Sequence, residues 1–306
     1  MYSGCVNNDL IIEPLIFHPF ITILCSLRSV KNGGRVPPRV CGRRKGTFHM
    51  KRIAIITGAS SGMGELFAKT VCDHATLQEV WVIARRADRL EALRESVGCP
   101  LRVFALDLTD RSTYAVVSEA LEAEKPEVSW LINASGYGKF CATIDNPLDG
   151  NLNMMDLNCG AVMAMCQTVI PYMPRGSHII NVASVAAFQP IPYINVYGAT
   201  KAFTLHYSRG LNRELKGKGI AVTALCPFWT RTEFFNRAVN ADKNAVVKKY
   251  VAIYEPTQIV RRAWRDAERG RDVSQYGFIA RFQSFLAKIL PHSLVMSVWM
   301  RQQKLH

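Results

Sequence analysis

Tyr197 and Lys201, four positions apart, form the pair of side chains in this sequence that is best suited to acid–base chemistry. The segment Ile194–Leu215 predicts a helix, and residues four apart lie on the same face of a helix. A free phenol titrates near pH ~10, but a neighbouring ammonium favours the phenolate and lowers that pKa. The pair therefore has the composition of a general acid–base that exchanges a proton with an alcohol or carbonyl oxygen.

Ser184 adds a hydroxyl to this pair, thirteen positions before Tyr197. It follows the largely apolar run Ile179–Ala183, which predicts a buried strand that ends at the serine. At a strand end, the hydroxyl can hydrogen-bond the same substrate oxygen. Taken alone, the spacing of Tyr197 and Lys201 is also compatible with a plain surface pair on a helix, because it occurs by chance in many chains.

A glycine-rich turn lies between a predicted strand and a predicted helix. The strand, Arg52–Thr57, is short, apolar and rich in β-branched residues, which is typical of a buried parallel strand. Glycines allow a tight turn and a close approach to a pyrophosphate, and a helix amino-terminus offers unpaired N–H groups. The turn therefore predicts a dinucleotide site, formed by Gly58, Ser60, Ser61, Gly62, Met63 and Gly64.

The second predicted strand, Val80–Ala84, is followed by Arg85 and Arg86. NAD-specific proteins of this architecture usually present a carboxylate at the end of this strand, where it binds the ribose 2′-hydroxyl. Ala84 occupies that position here, and the two guanidinium groups suit a 2′-phosphate. We therefore predict NADP(H) as the cofactor. The alternative is that both arginines are solvated surface charges.

Two further predicted strands end in residues that can contact the cofactor. Leu101–Leu106 leads into Asp107 and Leu108, and the Asp107 carboxylate can accept a hydrogen bond from the adenine amino group. The strand Val128–Ile132 is followed by small residues that leave room for a cofactor across the sheet: Asn133, Ala134, Ser135 and Gly136. Because strands and helices alternate, we predict an α/β fold with a doubly wound parallel sheet of the Rossmann type.

Together these segments resemble the short-chain dehydrogenase/reductase family. The resemblance covers about Lys51–Gly277, and its motifs occur in the family's order and near its spacing. It rests on Thr57–Gly64, Asp107, Asn133–Gly136, Asn158, Ser184, Tyr197 and Lys201. It implies a nicotinamide cofactor and a carbonyl or alcohol substrate.

The resemblance also implies a catalytic tetrad, which consists of Asn158, Ser184, Tyr197 and Lys201. In the family, the lysine binds the nicotinamide ribose hydroxyls and lowers the tyrosine pKa, so both residues also count among the cofactor contacts. The serine orients the substrate oxygen, and the asparagine holds a water in a proton relay.

Pro227 and Thr232 match two more cofactor contacts of the family. The family's glycine after that proline is Phe228 here, and a residue with a side chain cannot adopt a glycine-only backbone without strain. We therefore expect the nicotinamide pocket to differ locally.

Composition narrows the function classes. The 306 residues carry a formal net charge of +14, which suits polyanionic ligands such as nucleotides, nucleic acid or anionic membranes. The sequence has no zinc-finger, helix-turn-helix or RNA-stacking signature, so we predict no nucleic-acid partner. Its histidines lack ligand-like spacing, and we predict no metal site. The nine cysteines lack a C-x-x-C pair and mostly lie in apolar segments, which favours a reducing cytoplasm.

The two ends of the chain differ from the predicted domain at residues 50–277. Residues 1–49 contain a Gly/Pro/Arg-rich stretch without periodicity, which predicts disorder. Our hypothesis is that Met50 is the true initiator and that residues 1–49 are not native. The competing interpretation is a basic targeting tail.

Residues 278–306 are apolar and basic, and they are interrupted at Pro291, which argues against a membrane-spanning helix. We expect a helical segment with one of three roles: a pocket or subunit contact, a membrane-surface contact, or a disordered tail.

We therefore predict an NADP(H)-dependent oxidoreductase that interconverts a ketone or aldehyde with an alcohol by hydride transfer. Aromatic residues between Phe228 and Phe235 suggest an apolar substrate, either steroid-like or long-chain. We expect a homodimer or homotetramer in the cytoplasm, either free or associated with a membrane surface. The alternatives are a non-catalytic NADP sensor of the same fold and a membrane-surface reductase.

Overall fold

The computed structural model describes residues 50–234, 238, 246–247 and 249–305, and these belong to the compact unit Phe48–His306. The hypotheses about residues 1–49 and the prediction for Phe235 lie outside the described residues.

A parallel sheet of seven strands organises the described part of the chain, in the order β3-β2-β1-β4-β5-β6-β7. The chain builds outward from β1 in one direction, then crosses back to add β4 on the other side. The crevice at the carboxyl ends of β1 and β4 is therefore a topological switch point, where open α/β sheets bind their ligands. The strands are β1 Arg52–Thr57, β2 Glu79–Ala84, β3 Leu101–Ala105, β4 Glu127–Asn133, β5 His178–Val182, β6 Ala221–Leu225 and β7 Val273–Ser274.

Helices lie on both faces of this sheet, so the predicted Rossmann-type α/β fold is confirmed. A π-helical turn, Asp156–Gly160, joins α4 to α5. The α-helices of the described residues are α1 Gly62–Thr70, α2 Ala87–Ala92, α3 Thr113–Glu124, α4 Leu148–Met155, α5 Ala161–Val169, α6 Asn195–Leu215, α7 Pro256–Glu268, α8 Phe278–Ile289 and α9 His292–Gln303.

Alternation along β1 shows why its sequence is apolar at almost every position. Ile53 and Ile55 pack into the core on the side of α3, α5 and α6, whereas Ala54 and Ile56 pack into the core on the side of α1 and α7. A strand buried on both faces needs apolar residues at odd and even positions alike. The continuous apolar run is therefore a direct consequence of the two-sided burial.

Trp264 on α7 is the centre of one of these cores. Its ring lies edge-on to Phe67 at 5.1 Å and to Trp130 at 4.7 Å between ring centroids. The indole Nε1 donates a hydrogen bond to Thr70 Oγ1 at 2.9 Å, so its polar atom is satisfied. Trp264 therefore fixes α1 and α7 against β4, and through α1 it supports the glycine-rich turn.

The change Trp264→Ala should lower the free energy of unfolding by about 3–5 kcal/mol, because it leaves a large cavity between α1, α7 and the sheet. The control Val116→Ala, at a half-exposed position on α3, should change it by less than about 0.5 kcal/mol. Denaturant unfolding measures both. Equal effects of the two changes would contradict the central place of Trp264.

The carboxyl-terminal residues form two helices, α8 and α9, which are separated at Pro291 as expected. Within the described part of the chain, no helix combines the length and the apolar character that crossing a membrane requires.

Candidate active site

A cavity of about 740 Å³ lies at the carboxyl ends of the strands, at the switch point of the sheet. One end is lined by the glycine-rich turn and by the residues that follow β2, β3 and β4. The other end is lined by Ser184 and Tyr197, by residues after β6, and by α8 and α9. The cavity thus joins a cradle for a nucleotide to a chamber for a second molecule.

The glycine-rich turn passes close under the loop that follows β4. Gly58 has φ +68°, and a Cβ on it would lie 2.6 Å from the Ser135 backbone nitrogen. A Cβ on Gly64 would overlap the Gly58 carbonyl, so neither position admits a side chain. This close packing brings the start of α1 to the cavity.

The start of α1 can bind an anion. Ser61, which precedes the helix, makes no side-chain cap, so the first N–H groups keep their donor capacity. The cavity wall there comprises Gly58, Ser60, Ser61, Gly62, Met63 and Gly64. These residues therefore fit the pyrophosphate of a dinucleotide.

Arg85 and Arg86 both line the cavity, but their partners differ. Arg85 is largely exposed, and its Nη1 lies 3.6 Å from Asp107 Oδ2. Arg86 hydrogen-bonds Ser60 and the Glu233 carboxylate. The sequence leaves open which guanidinium faces a phosphate, and in the structure Arg85 is the less engaged of the two.

Asp107 and Leu108 line the cavity beside Arg85. The Asp107 Oδ1 atom accepts hydrogen bonds from the Thr109 backbone N–H at 3.0 Å and from its hydroxyl at 2.9 Å. Burial alone would raise the pKa of this carboxyl, but the Thr109 hydrogen bonds and the Arg85 charge lower it overall. Asp107 is therefore an ionised acceptor at the nucleotide end of the cavity.

Asn133 lies in the interior and does not line the cavity, which differs from its prediction as a cofactor contact. Its Nδ2 donates to Asn181 Oδ1 at 2.8 Å, and this bond links β4 to β5. Ala134, Ser135 and Gly136 do line the cavity.

Ser184 and Tyr197 meet at the other end of the cavity, and both line it. Ser184 Oγ accepts a hydrogen bond from the Ala186 N–H at 3.1 Å, which fixes its direction at the start of a short 3₁₀ turn. The Tyr197 side chain hydrogen-bonds Ser184. The two hydroxyls are therefore adjacent at the cavity wall.

Lys201 is buried beneath them on the same helix as Tyr197. Its Nζ donates to the Val182 carbonyl oxygen at 2.7 Å and lies 5.8 Å from the centroid of the Tyr197 ring. The ammonium is therefore held at the end of β5 by a neutral acceptor.

Asn158 lies in the π-helical turn and is buried beside the cavity rather than in its wall. Its Nδ2 donates to the Tyr137 carbonyl at 2.9 Å and to Thr200 Oγ1 at 3.0 Å, and its Oδ1 accepts from the Tyr137 N–H at 3.1 Å. The amide thus ties the loop after β4 to α6. This geometry makes Asn158 a positioning residue, and its role in holding a water stays a prediction.

The pKa values differ from the expectation drawn from the pair alone. Burial raises the pKa of Tyr197 to about 12, although its hydrogen bond with Ser184 acts in the opposite direction. Burial lowers the pKa of Lys201 to about 8. The lowering of the tyrosine pKa expected from the pair does not arise, because burial of the phenol has the largest effect on its pKa.

The substrate end of the cavity is aromatic and apolar. The Tyr197 ring lies 5.8 Å from Phe140 and 5.6 Å from Phe234 between centroids. Phe228 lines the cavity and does not take a positive φ, so the strain expected at this position does not arise. The wall is completed by Leu286 on α8, by Leu290 directly after α8, and by Leu294, Val298 and Trp299 on α9.

Comparison with known proteins places this chain in a family. Residues 52–243 match the family model described as short chain dehydrogenase, and the chain belongs to that family. Serine 3-dehydrogenase of Rhizobium radiobacter is 34% identical over 190 residues, which cover 60% of this chain and 74% of the relative. The 17-beta-hydroxysteroid dehydrogenase type 3 of Mus musculus is 27% identical over 250 residues, which cover 76% and 81%.

A similar solved structure is the short-chain dehydrogenase from Sphingobium yanoikuyae in complex with NADPH. The two chains share 29% identity with a TM-score of 0.65, over 80% of this chain and 95% of the other. The chain is thus an oxidoreductase of a family that uses nicotinamide cofactors.

Because burial raises the pKa of Tyr197 to about 12, no more than about a tenth of this phenol should be ionised at pH ~11 when the protein is titrated without added cofactor. The measurement is the near-ultraviolet difference spectrum between wild type and Tyr197→Phe during an alkaline titration. A phenolate that appears near pH ~9 would contradict this expectation, because it would mean that the Lys201 charge affects the Tyr197 pKa more than burial does.

Proposed function

We propose that this protein is an NADP(H)-dependent oxidoreductase that interconverts a ketone or aldehyde with an alcohol. The observation that carries the proposal is the meeting of the Tyr197 and Ser184 hydroxyls at the cavity wall above a buried Lys201. The nucleotide cradle lies in the same cavity. When bound, the nicotinamide cofactor supplies or accepts the hydride.

In the reducing direction, Tyr197 acts as the general acid. Its raised pKa keeps the phenol protonated at neutral pH, so it can donate this proton to the substrate oxygen as the alcohol forms. Ser184 Oγ accepts from the Ala186 N–H, which leaves its own hydroxyl proton to bind and orient the same oxygen. The two hydroxyls thus hold the oxygen at one point of the cavity.

Lys201 stabilises the charge that remains on Tyr197. Once the phenol has given up its proton, the phenolate faces an ammonium close to its ring. A positive charge at this distance, shielded from water, favours the phenolate over the value that burial alone would give. With a pKa of about 8, Lys201 carries this charge at neutral pH. The phenolate then regains a proton from solvent.

NADP(H) is favoured over NAD(H) by two features of the chain. Ala84 ends β2 without a carboxylate, and the exposed Arg85 guanidinium lies at the cavity, where it suits a 2′-phosphate. The solved relative from Sphingobium yanoikuyae, with its NADPH, supports the same choice.

The substrate that the chamber suits best is a bulky apolar carbonyl compound, either steroid-like or long-chain. The side chains of Phe140, Trp229, Phe234 and Trp299 surround the Tyr197 end of the cavity, which favours apolar over charged molecules. The names of two relatives refer to substrates as different as serine and a hydroxysteroid. Sequence similarity therefore does not indicate the substrate, and the residues of the cavity wall support the apolar one.

The rival proposal is a non-catalytic NADP sensor of the same fold. Such a protein has no need of a buried ammonium beside a buried phenol, and burying both costs free energy. The presence of the buried Lys201 ammonium beside the Tyr197 phenol therefore supports an enzyme over a sensor.

The change Tyr197→Phe should lower kcat by roughly 10²–10⁴-fold, the usual share of general acid–base catalysis, and leave NADP+ affinity nearly unchanged. Tyr207→Phe on the same helix is the matched control, because Tyr207 packs against the core and does not line the cavity. Initial rates with a panel of apolar ketones and NADPH test this. Near-normal turnover of Tyr197→Phe would refute the assignment.

The segment 278–306 has two faces in this proposal, one for the cavity and one for an anionic lipid surface. Along α8, Phe278, Phe282, Phe285 and Ile289 lie on one face at helical spacing and are exposed. The opposite face of α8 lines the cavity. The segment contains basic but no acidic residues, so its charge suits anionic headgroups.

A homodimer or homotetramer is supported by exposed apolar residues on and before α4, which are Ile144, Leu148, Leu152 and Met155. A cytoplasmic location is supported by the reduced thiols of Cys72, Cys99, Cys159, Cys166 and Cys226. The domain limits at residues 50–277 and 278–306 stay predictions.

Two sets of changes on α8 should separate its faces. Phe282→Ser with Phe285→Ser should weaken binding to vesicles that contain anionic lipid by about tenfold or more, and leave kcat/KM in solution within about twofold. Leu286→Ser, in the cavity wall, should lower kcat/KM and keep vesicle binding. Vesicle flotation and initial rates measure both. The same effect from both sets would contradict the two-faced helix.

A further inference from the structure

We propose that Glu233 weakens the preference of this protein for NADP(H) over NAD(H), because its carboxylate competes with the 2′-phosphate of NADP(H) for Arg86. The proposal rests on the NADP(H) dependence put forward above and adds a residue that opposes it. Glu233 follows Thr232, at the edge of the cavity, on the segment after β6.

The contact between Glu233 and Arg86 is a two-pronged ion pair. Arg86 Nη1 donates to Oε1 at 3.3 Å and to Oε2 at 3.1 Å, and Arg86 Nη2 donates to Oε2 at 3.1 Å. A second guanidinium, Arg89 Nη1, lies 3.2 Å from Oε1. One carboxylate therefore engages two cations that follow β2.

The remaining donor edge of Arg86 faces the glycine-rich turn. Its Nε donates to Ser60 Oγ at 3.3 Å, and its Nη2 also reaches Ser60 Oγ at 3.1 Å. The Nη1 and Nη2 groups thus bind Glu233, and the Nε and Nη2 groups bind Ser60, so Nη2 serves both partners. A phosphate binds arginine through the same fork of N–H groups that the carboxylate uses here. The two anions cannot both take the full fork.

Arg85 provides the contrast. Its side chain is 64% exposed, and its nearest carboxylate oxygen, on Asp107, is 3.6 Å away, beyond a normal hydrogen bond. Arg85 can therefore turn to a 2′-phosphate without giving up a strong contact. Arg86 must first release Glu233.

Electrostatics fixes the direction of the effect. A phosphomonoester carries roughly −1.5 to −2 charges at neutral pH, so a carboxylate on the same guanidinium repels it. The side chains of Arg86 and Glu233 are only 28% and 33% exposed, so water screens the repulsion less than at an open surface. Glu233 therefore lowers the affinity for NADP+ and leaves NAD+ unaffected, because NAD+ has no 2′-phosphate.

The test is a set of dissociation constants measured by calorimetry for wild type, Glu233→Gln, Arg86→Gln and the double variant. The ligands are NADP+, NAD+, adenosine 2′-monophosphate and adenosine 5′-monophosphate. Glu233→Gln should tighten NADP+ and adenosine 2′-monophosphate by about three- to tenfold and change NAD+ by less than about twofold. In the ratio of the dissociation constants of NADP+ and NAD+, the contributions that the two dinucleotides share cancel.

Two controls keep the result specific. Glu255→Gln removes the carboxylate that pairs with the exposed Arg231 at 2.9 Å, so it changes the net charge equally without touching Arg86. It should leave the ratio unchanged. In the Arg86→Gln background, Glu233→Gln should lose most of its effect. Thermal melting confirms that each variant is folded.

An unchanged or reduced preference for NADP+ in folded Glu233→Gln, with wild type binding NADP+, would overturn this proposal alone. The same holds if Glu233→Gln acts as strongly in the Arg86→Gln background, because the effect would not pass through Arg86. If wild type bound neither dinucleotide, the proposed function and this inference would fall together.

Discussion

The buried ammonium of Lys201 is the constraint on which the rest of the site depends. A charge removed from water is costly unless its donors are satisfied, and the Lys201 acceptor is the neutral Val182 carbonyl at the end of β5. This contact forms only if α6 packs against the carboxyl end of β5. That packing also brings Tyr197 to the cavity wall beside Ser184. The need to satisfy the buried ammonium therefore determines where Lys201, Tyr197 and Ser184 lie.

Hydration explains why the tyrosine and the lysine shift in opposite directions. Burial disfavours the charged form of each, which is the phenolate of Tyr197 and the ammonium of Lys201. The spacing of Tyr197 and Lys201 in the sequence indicates only the attraction between a phenolate and an ammonium. The structure shows that the larger effect comes from the absence of water around them. At neutral pH, Tyr197 is therefore a neutral acid beside the Lys201 ammonium, whose pKa is lowered.

The sequence predicted the features that local pattern determines. The strand Arg52–Thr57, the glycine-rich turn and α6 each depend on residues close together in the chain, where apolar runs and glycine positions restrict the backbone. It could not place Asn133, because the amide finds its partner in Asn181 on the neighbouring strand. It could not foresee the Arg86–Glu233 pair either, because 147 positions separate the two residues. Where a side chain has several possible partners, the tertiary fold determines which one it contacts. The hydrophobic periodicity of the sequence contains no information about that partner.

The carboxyl-terminal helices show why the same pattern allowed several roles. Apolar residues around most of α8 are compatible with a cavity wall, a subunit contact or a lipid contact, and the sequence alone does not rank them. The structure separates the faces: Leu286 and Leu290 line the cavity, and Phe282 and Phe285 are exposed. Ser184, Tyr197 and Lys201 stand at the end of β5 and on α6, whereas much of the apolar wall of the cavity stands on loops and on these added helices. In the proposed enzyme, the proton-transfer residues and the substrate-binding wall thus lie in different parts of the chain, and substitutions in the wall would leave Tyr197, Ser184 and Lys201 in place.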